Sequence, residues 1–412
     1  MNGPPDSALG IYISIPFCRS KCTYCNFASG VFPAAEHGRY VERAIAELRN
    51  APAWAGSMKV ELPRRVDTIY LGGGTPTLLV PALIEQIFSA LRASFDIDAE
   101  AEITVECAPG QWNEATVETL AAVGVNRASL GVQSFVDSET RSSGRLHNRA
   151  MVEADFARLR AAGITNLNVD LIAGLAGQSD SSWEESLGAL IGSGTPHASI
   201  YMLEVDEDSR LGREILQGGA RYGAGQVPDD EVIVRMYERA IERLAQAGIE
   251  PYEISNFARP GSASRHNLRY WQRRPYLGVG LDASSALRAA GPQIIGSGPR
   301  PVLRATTSCD LQAYLGGTGI VETEWLSAAR QHEEAWFLGL RMNDGVDTAA
   351  LEREFGSALV AAAMNKVAQL IENGLLIANN GRVQLTRRGR LLSNEVFQEF
   401  VETETQDTLE RI

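Results

Sequence analysis

YISIPFCRSKCTYCNFAS, from Tyr12 to Ser29, runs a β-rich segment straight into a loop that holds Cys18, Cys22 and Cys25 at C-x3-C-x2-C spacing. Three thiolates on one tight turn can hold three irons of a [4Fe–4S] cluster and leave the fourth iron open. Iron–sulfur centres that only carry electrons usually fill all four positions with cysteine, so an open corner points to chemistry at the cluster. A structural zinc site asks for four ligands, usually as two pairs from separate segments. Here there is one triplet, and the nearest histidine, His37, lies twelve residues past Cys25. Disulfides fit no better, because five cysteines in 412 residues are sparse and odd in number. Cys107 and Cys309 stand alone in sequence and read as small buried hydrophobes.

A chain of 412 residues with 44% hydrophobic side chains can build two or three domains with real cores. The formal net charge of −13 argues against a broad electrostatic footprint for nucleic acid, and no such partner is expected. Residues 1–10, MNGPPDSALG, have neither a basic start nor a long apolar core, so they read as a tail and not as a signal peptide. No uninterrupted apolar run approaches the ~18 residues that a membrane-spanning helix needs. The expected location is a reducing cytoplasm, where thiols survive to ligate iron.

Residues 11–205 alternate short β-rich runs with amphipathic stretches. The candidate strands are Ile11–Ile15, Val66–Leu71, Glu102–Glu106, Arg127–Val132, Asn166–Ile172 and Ser199–Leu203. Tyr40–Arg49, Ala82–Ala93, Glu114–Val123, Ala150–Ala161 and Trp183–Ile191 are helix-like. Such alternation implies an α/β fold with parallel pairing and right-handed crossovers. Periodicity does not separate an open doubly wound sheet from a partial barrel, but both gather ligands at the C-terminal strand ends. The cysteine loop lies at that end.

Residues 206–324 read as an extension of this core, with a helix near Asp229–Ala247 and a polar, aromatic-rich segment from Pro251 to Trp271. Residues 325–412 give helices, a strand pair around Gly374–Gln384 and a last helix, an α+β order that resembles a winged helix. That stretch holds nine basic and thirteen acidic side chains, so a packing or lid role is expected in place of DNA reading.

LGGGTPT (Leu71–Thr77) follows the second strand. Consecutive glycines let backbone approach a ligand and present amides as a nest, but a tight turn before Pro76 accounts for them equally well. The loop is neither a Walker loop nor G-x-G-x-x-G. Glu106, Gln133 and Asp170 sit at or near later strand ends, and Arg145 lies twelve residues past Gln133. Singly, each reads as a satisfied strand-end polar group. Their recurrence on the edge that carries the cysteines predicts one shared site.

YISIPFCRSKCTYC, LGGGTPT, TVECAPG, NRASLGVQSF, GRLHN and NVDLIAGL occur in the order found in radical S-adenosylmethionine enzymes of the oxygen-independent coproporphyrinogen oxidase (HemN-like) family. The resemblance covers most of the chain. It implies a partial (β/α)6 barrel whose open iron binds the amino and carboxylate groups of S-adenosylmethionine. In that family an electron from the cluster cleaves the sulfonium to a 5′-deoxyadenosyl radical, and the cofactor carries the difficult step. By position, Tyr12, Gly73 and Glu106 match residues that contact the cluster-bound S-adenosylmethionine. Tyr24, Gly74, Thr75, Gln133, Arg145 and Asp170 match those that in the oxidase surround a second molecule of it. Glu204 falls where the oxidase has a small residue.

The oxidase also has a cysteine two residues after its third cluster ligand, where this chain has Phe27. EISNFARPG and SRHNLRYW, with His266, Asn267, Tyr270 and Trp271, resemble instead the haem-chaperone branch of the family, HemW. That branch is understood to bind haem and deliver it to acceptor proteins. The resemblance therefore implies a haem chaperone with a [4Fe–4S] cluster, S-adenosylmethionine and haem as cofactors. Oxidative decarboxylation of coproporphyrinogen III in porphyrin biosynthesis is the alternative, with radical methylation a third reading. The implied partners are haem, a haem-acceptor protein (respiratory and membrane-associated proteins among the options) and an electron donor such as a flavodoxin or ferredoxin. His266 is the candidate haem contact or axial ligand, because neutral imidazole ligates iron well. A loop histidine more often bonds locally. His147, in GRLHN, is the second candidate, while Tyr270 and Trp271 could stack on a porphyrin or pin the segment to the barrel.

Overall fold

The computed structural model describes residues 8–291 and 298–401. These form two compact units: 8–269 with 274–287 and 303–324, and 270–273 with 288–291, 298–302 and 325–401. In the first unit, the alternating pattern becomes β1 (Leu9–Ile15), α1 (Ala35–Met58), β2 (Arg65–Gly73), α2 (Pro81–Ser94), β3 (Asp96–Cys107) and α3 (Glu114–Ala122). It continues as β4 (Arg127–Gln133), α4 (Asp137–Ser142), α5 (Arg149–Ala161), β5 (Asn166–Ala173), α6 (Asp180–Gly192) and β6 (His197–Met202). Helices begin where a side chain can take up an orphan amide: Asn113, Asn148 and Ser179 each accept the N–H three residues on. α1 lays Tyr40, Val41, Ala44, Ile45 and Leu48 against the sheet, the stripe expected of a helix with one buried face.

β1 to β6 pair in parallel in chain order. An order without reversal offers no point at which helices change faces. Right-handed crossovers then put them all on one side, and the sheet curls about the other. The architecture is the partial barrel and not the doubly wound sheet.

The chain continues through α7 (Arg210–Leu216), α8 (Asp230–Gln246), β7 (Glu250–Pro251), β8 (Asn256–Ala258), α9 (Arg265–Trp271) and β9 (Tyr276–Val279). β10 (Ser284–Arg288), β11 (Val302–Thr307), α10 (Leu311–Leu315) and β12 (Ile320–Leu326) follow. β8 adds antiparallel to β6, and β9 returns to lie parallel beside β1, with Gly10 opposite Tyr276 and Ile13 opposite Val279. Among the described residues the sheet has twelve strands, running from β12 to β7.

The SRHNLRYW segment forms the short helix α9 at the N-terminal end of the strands, opposite the cysteine loop. Its first amides, from Arg265 and His266, both donate to the Glu102 carboxylate at 3.0 Å. Arg269 is fully buried and donates to Ala8 O (3.0 Å), Pro275 O (2.9 Å) and Thr68 Oγ1 (3.2 Å), and it pairs with Asp67.

The second unit contains α11 (Ala328–Arg341), β13 (Val346–Asp347), α12 (Thr348–Phe355), α13 (Ser357–Glu372), β14 (Leu376–Asn379) and β15 (Arg382–Leu385). The expected helices and hairpin are present, with β13 added to make a three-stranded sheet. The single last helix expected from sequence divides at Leu392 into α14 (Arg387–Leu391) and α15 (Ser393–Gln398). Trp336 and Phe400 stack at the centre of this core, their ring centroids 5.0 Å apart. Among the described residues no helix is long and apolar enough to cross a membrane.

Arg269→Ala removes the donor for three carbonyl or hydroxyl oxygens and leaves Asp67, which is 10% exposed, with Arg274 at 2.9 Å. Asp67 also keeps Arg265 at 4.0 Å, so the loss comes from the buried oxygens left without a donor, at about 1–3 kcal/mol each and about 3–5 kcal/mol in all. Urea unfolding of the variant is expected to show that loss, whereas a surface pair would give about 1 kcal/mol or less.

Candidate functional site

β1 and β2 end side by side, with Ile15 opposite Gly73, so the cysteine loop and LGGGTPT emerge together. The loop is closed at its base by Cys18 N–H to Gly30 O (2.8 Å) and Gly30 N–H to Pro16 O (2.9 Å). Thr23 is held on two sides: its N–H donates to Ser143 O (3.1 Å), and its carbonyl accepts from Leu211 N–H (2.8 Å). Cys18, Cys22 and Cys25 all line a cavity of about 390 Å³ at the C-terminal ends of the strands. Burial pushes the Cys18 thiol up, and the neighbouring Cys22 and Cys25 push it in the same direction. Iron takes a cysteine as its thiolate, so binding a cluster releases the proton of each ligating thiol.

The glycine loop is a cradle. A Cβ on Gly74 would meet Phe17 O at 2.8 Å and Cys18 Sγ at 3.0 Å, while Gly73 has φ +102°. Only glycine fits both positions without strain. Glu106, at the end of β3, accepts from Gly73 N–H (3.1 Å) and from Tyr70 OH (2.9 Å). Burial, followed by the charge of Asp170, raises the Glu106 carboxyl to about 7. Asp170 accepts from Asn168 Nδ2 (2.7 Å) and Ser129 Oγ (3.1 Å), and burial raises it as well. Arg145 donates to Cys22 Sγ (3.5 Å) and to Gly131 O. Among the described residues Gln133 Oε1 and Arg145 Nε are buried without a hydrogen-bond partner.

Thus Cys18, Cys22, Cys25, Tyr24, Gly73, Gly74, Thr75, Glu106, Gln133, Arg145 and Asp170 share one cavity. Tyr12 stands behind them: its ring stacks on Tyr70, 6.0 Å between centroids, and it is Tyr70 that lines the cavity. His266 is buried in the floor, its Nδ1 2.9 Å from Thr68 Oγ1 and its ring 5.2 Å from that of Tyr70, and burial lowers it to about 3. His147 is also buried, with Nε2 3.0 Å from Val132 O, and burial lowers it to about 4. Both rings are neutral at pH 7, and neither lines the cavity.

Arg127, Ser129, Asn168, Ser199 and Asn267 line the cavity too, although sequence reading did not assign them to the site. A signal for four of them exists. Polar residues recur at every second position of strands that should be almost wholly apolar, as in Arg127/Ser129, Asn168/Asp170 and His197/Ser199/Tyr201. That period marks the inner face.

The Radical SAM superfamily matches residues 12–190, and the HemN C-terminal domain matches residues 326–392. The heme chaperone HemW of Lactococcus lactis is 32% identical over 96% of this chain and 97% of its own length. The Bacillus subtilis HemW is 33% identical, over 95% and 98% respectively. The chain belongs to the HemW family. A bovine relative, the mitochondrial radical S-adenosyl methionine domain-containing protein 1, is 30% identical over 94% of this chain and 86% of its own. The solved coproporphyrinogen III oxidase HemN from Escherichia coli shares the fold, with TM-score 0.80, 23% identity and coverage of 96% and 91%.

Radical SAM membership implies a [4Fe–4S] cluster and S-adenosylmethionine, and the site of this HemW-family chain fits both. Among the described residues no three His, Cys, Asp or Glu side chains close to the spacing of a single-ion site. A four-iron cluster seats each thiolate on a different iron, and Cys18, Cys22 and Cys25 all line the one cavity. The glycine cradle beside Cys18 and the unpartnered Gln133 and Arg145 atoms suit a polar ligand next to it.

Gly74→Ala is expected to abolish assembly of a full cluster, read as iron and sulfide per chain, while circular dichroism stays near wild type. Glu106 gives a pH signature. Its folded-state value near 7 exceeds the ordinary 4.5, so its protonated form favours the fold below about 4.5 and that contribution is lost as pH rises through about 7. The unliganded wild type should lose on the order of 2–3 kcal/mol more than Glu106→Gln between about pH 5 and pH 8 in urea unfolding.

Proposed function

We propose that this chain is a haem chaperone built on a radical S-adenosylmethionine scaffold, which binds haem and passes it to an acceptor protein. The observation that carries this reading is similarity along nearly the whole chain to proteins named heme chaperone HemW, at 32–33% identity. Phe27, standing where the oxidase has an extra cysteine, supports it.

Cys18, Cys22 and Cys25 would hold the cluster. When bound, the cluster supplies one-electron reducing power beside S-adenosylmethionine. Glu106 would accept the ammonium of S-adenosylmethionine while Tyr70 and the Gly73 amide hold its carboxylate in place. Arg145 and Gln133 offer the donors for a carboxylate, and Asp170, fixed by Asn168 and Ser129, offers an acceptor for ribose hydroxyls. Tyr12 would act at one remove, by stacking behind Tyr70. A flavodoxin or ferredoxin fits the role of electron donor, and the cytoplasm is the compartment that keeps these thiols reduced.

The test is made on full-length protein reconstituted anaerobically. Haem is titrated and coproporphyrinogen III turnover is assayed in the same preparation. Stoichiometric haem binding without protoporphyrinogen formation is expected. Turnover without haem binding would replace this reading by the oxidase. Cys22→Ser is expected to lose the full cluster, and a variant that kept it would remove Cys22 from the ligand set.

A further inference from the structure

Phe27 and Leu146 are large apolar side chains turned to solvent at the mouth of the cavity, 65% and 54% exposed. They stand on two loops that are bound to each other: Thr23 N–H donates to Ser143 O, and Gly144 packs against Lys21 and Cys22. Tyr201, at the end of β6, is exposed and lines the same opening. The outward position of Phe27 is built in, because Lys21 Nζ donates to the carbonyls of both Phe27 (2.5 Å) and Ser29 (2.9 Å). Exposed apolar residues scattered singly mean little, but a set that surrounds one opening marks a binding surface.

A cation shares this rim. Arg19 is exposed, lines the cavity, and among the described residues has no hydrogen bond or ion pair. In a chain of net charge −13, an unpaired guanidinium beside an apolar mouth selects a ligand that is apolar on its faces and anionic at one edge. Glu204, exposed on the β6 side of the cavity, would repel that edge and turn it toward Arg19. The cavity itself, about 390 Å³, is at the small end for ligand sites, and its polar groups suit S-adenosylmethionine. A macrocycle bound at the same time must lie across the opening.

We propose that haem binds over this mouth, with its faces on Phe27 and Leu146 and a propionate on Arg19, and not on His266. The assignment rests on the haem-chaperone reading above. His266 lies beneath Tyr70 with Nδ1 engaged by Thr68, so its iron ligation would require the barrel floor to open. Phe27 then supplies the aromatic face on which the macrocycle stacks.

Full-length reconstituted protein is titrated with haem, followed by the Soret band, with cluster absorbance recorded on each sample. Arg19→Glu and Phe27→Asp, both surface changes, are expected to weaken haem binding by about tenfold or more with cluster absorbance retained. His266→Gln is expected to bind haem within about twofold of wild type. Wild-type affinity in both surface variants would overturn the proposal, as would loss of haem in a folded, cluster-bearing His266→Gln. The surface variants decide the matter whether or not His266→Gln folds. Wild-type protein that takes up no haem would instead overturn the chaperone reading itself.

Discussion

The buried guanidinium of Arg269 is the contact on which the barrel floor depends. It ties Ala8 before β1, Asp67 and Thr68 on β2, and Pro275 before β9 to one side chain of α9. A Cβ on Gly10 would overlap that side chain, so even the first turn of β1 is shaped around it. With Glu102 holding the first amides of α9, the helix cannot slide along the barrel axis. That fixes which residue of the segment meets the cavity: Asn267 does, while His266 is turned against Tyr70.

A floor of this kind allows the interior to remain polar. Buried polar groups are tolerated when they bond to one another, and here Asn168 bridges Asp170, Ser129 and Ser199. At the top of the column that satisfaction stops. Glu106 and Asp170 share a space in which both cannot easily ionise, and Gln133 and Arg145 keep atoms unpartnered. A zwitterionic ligand bound there would meet these unpartnered atoms and favour the charged form of Glu106.

Much of this was legible in the chain. The cysteine spacing, the glycine loop and the strand-end carboxylate positions are local patterns, and strand register then brings them to one edge. The role of SRHNLRYW was not legible. Its histidine looks like a free ligand in sequence, whereas tertiary packing makes it a neutral, bonded part of the floor. β9 is not legible in sequence, because four residues carry little periodic signal and its parallel place beside β1 depends on partners more than two hundred residues away. Arg19 and Leu146 carry no signal in sequence, because an exposed arginine or leucine is ordinary until both are seen around one opening.

By itself the sequence determined the chemistry available: three thiols on one turn, consecutive glycines in the loop after the second strand, and carboxylates at strand ends. These are properties of short segments, set by residue type and spacing. Only the tertiary structure decided the partial barrel over the open doubly wound sheet, and which polar residues face inward. It also decided that the histidine of SRHNLRYW lies in the floor while apolar side chains line the mouth. The physical reason is that strand order, burial and the partner of each polar atom are set by contacts between segments far apart in the chain, and no local pattern carries that information.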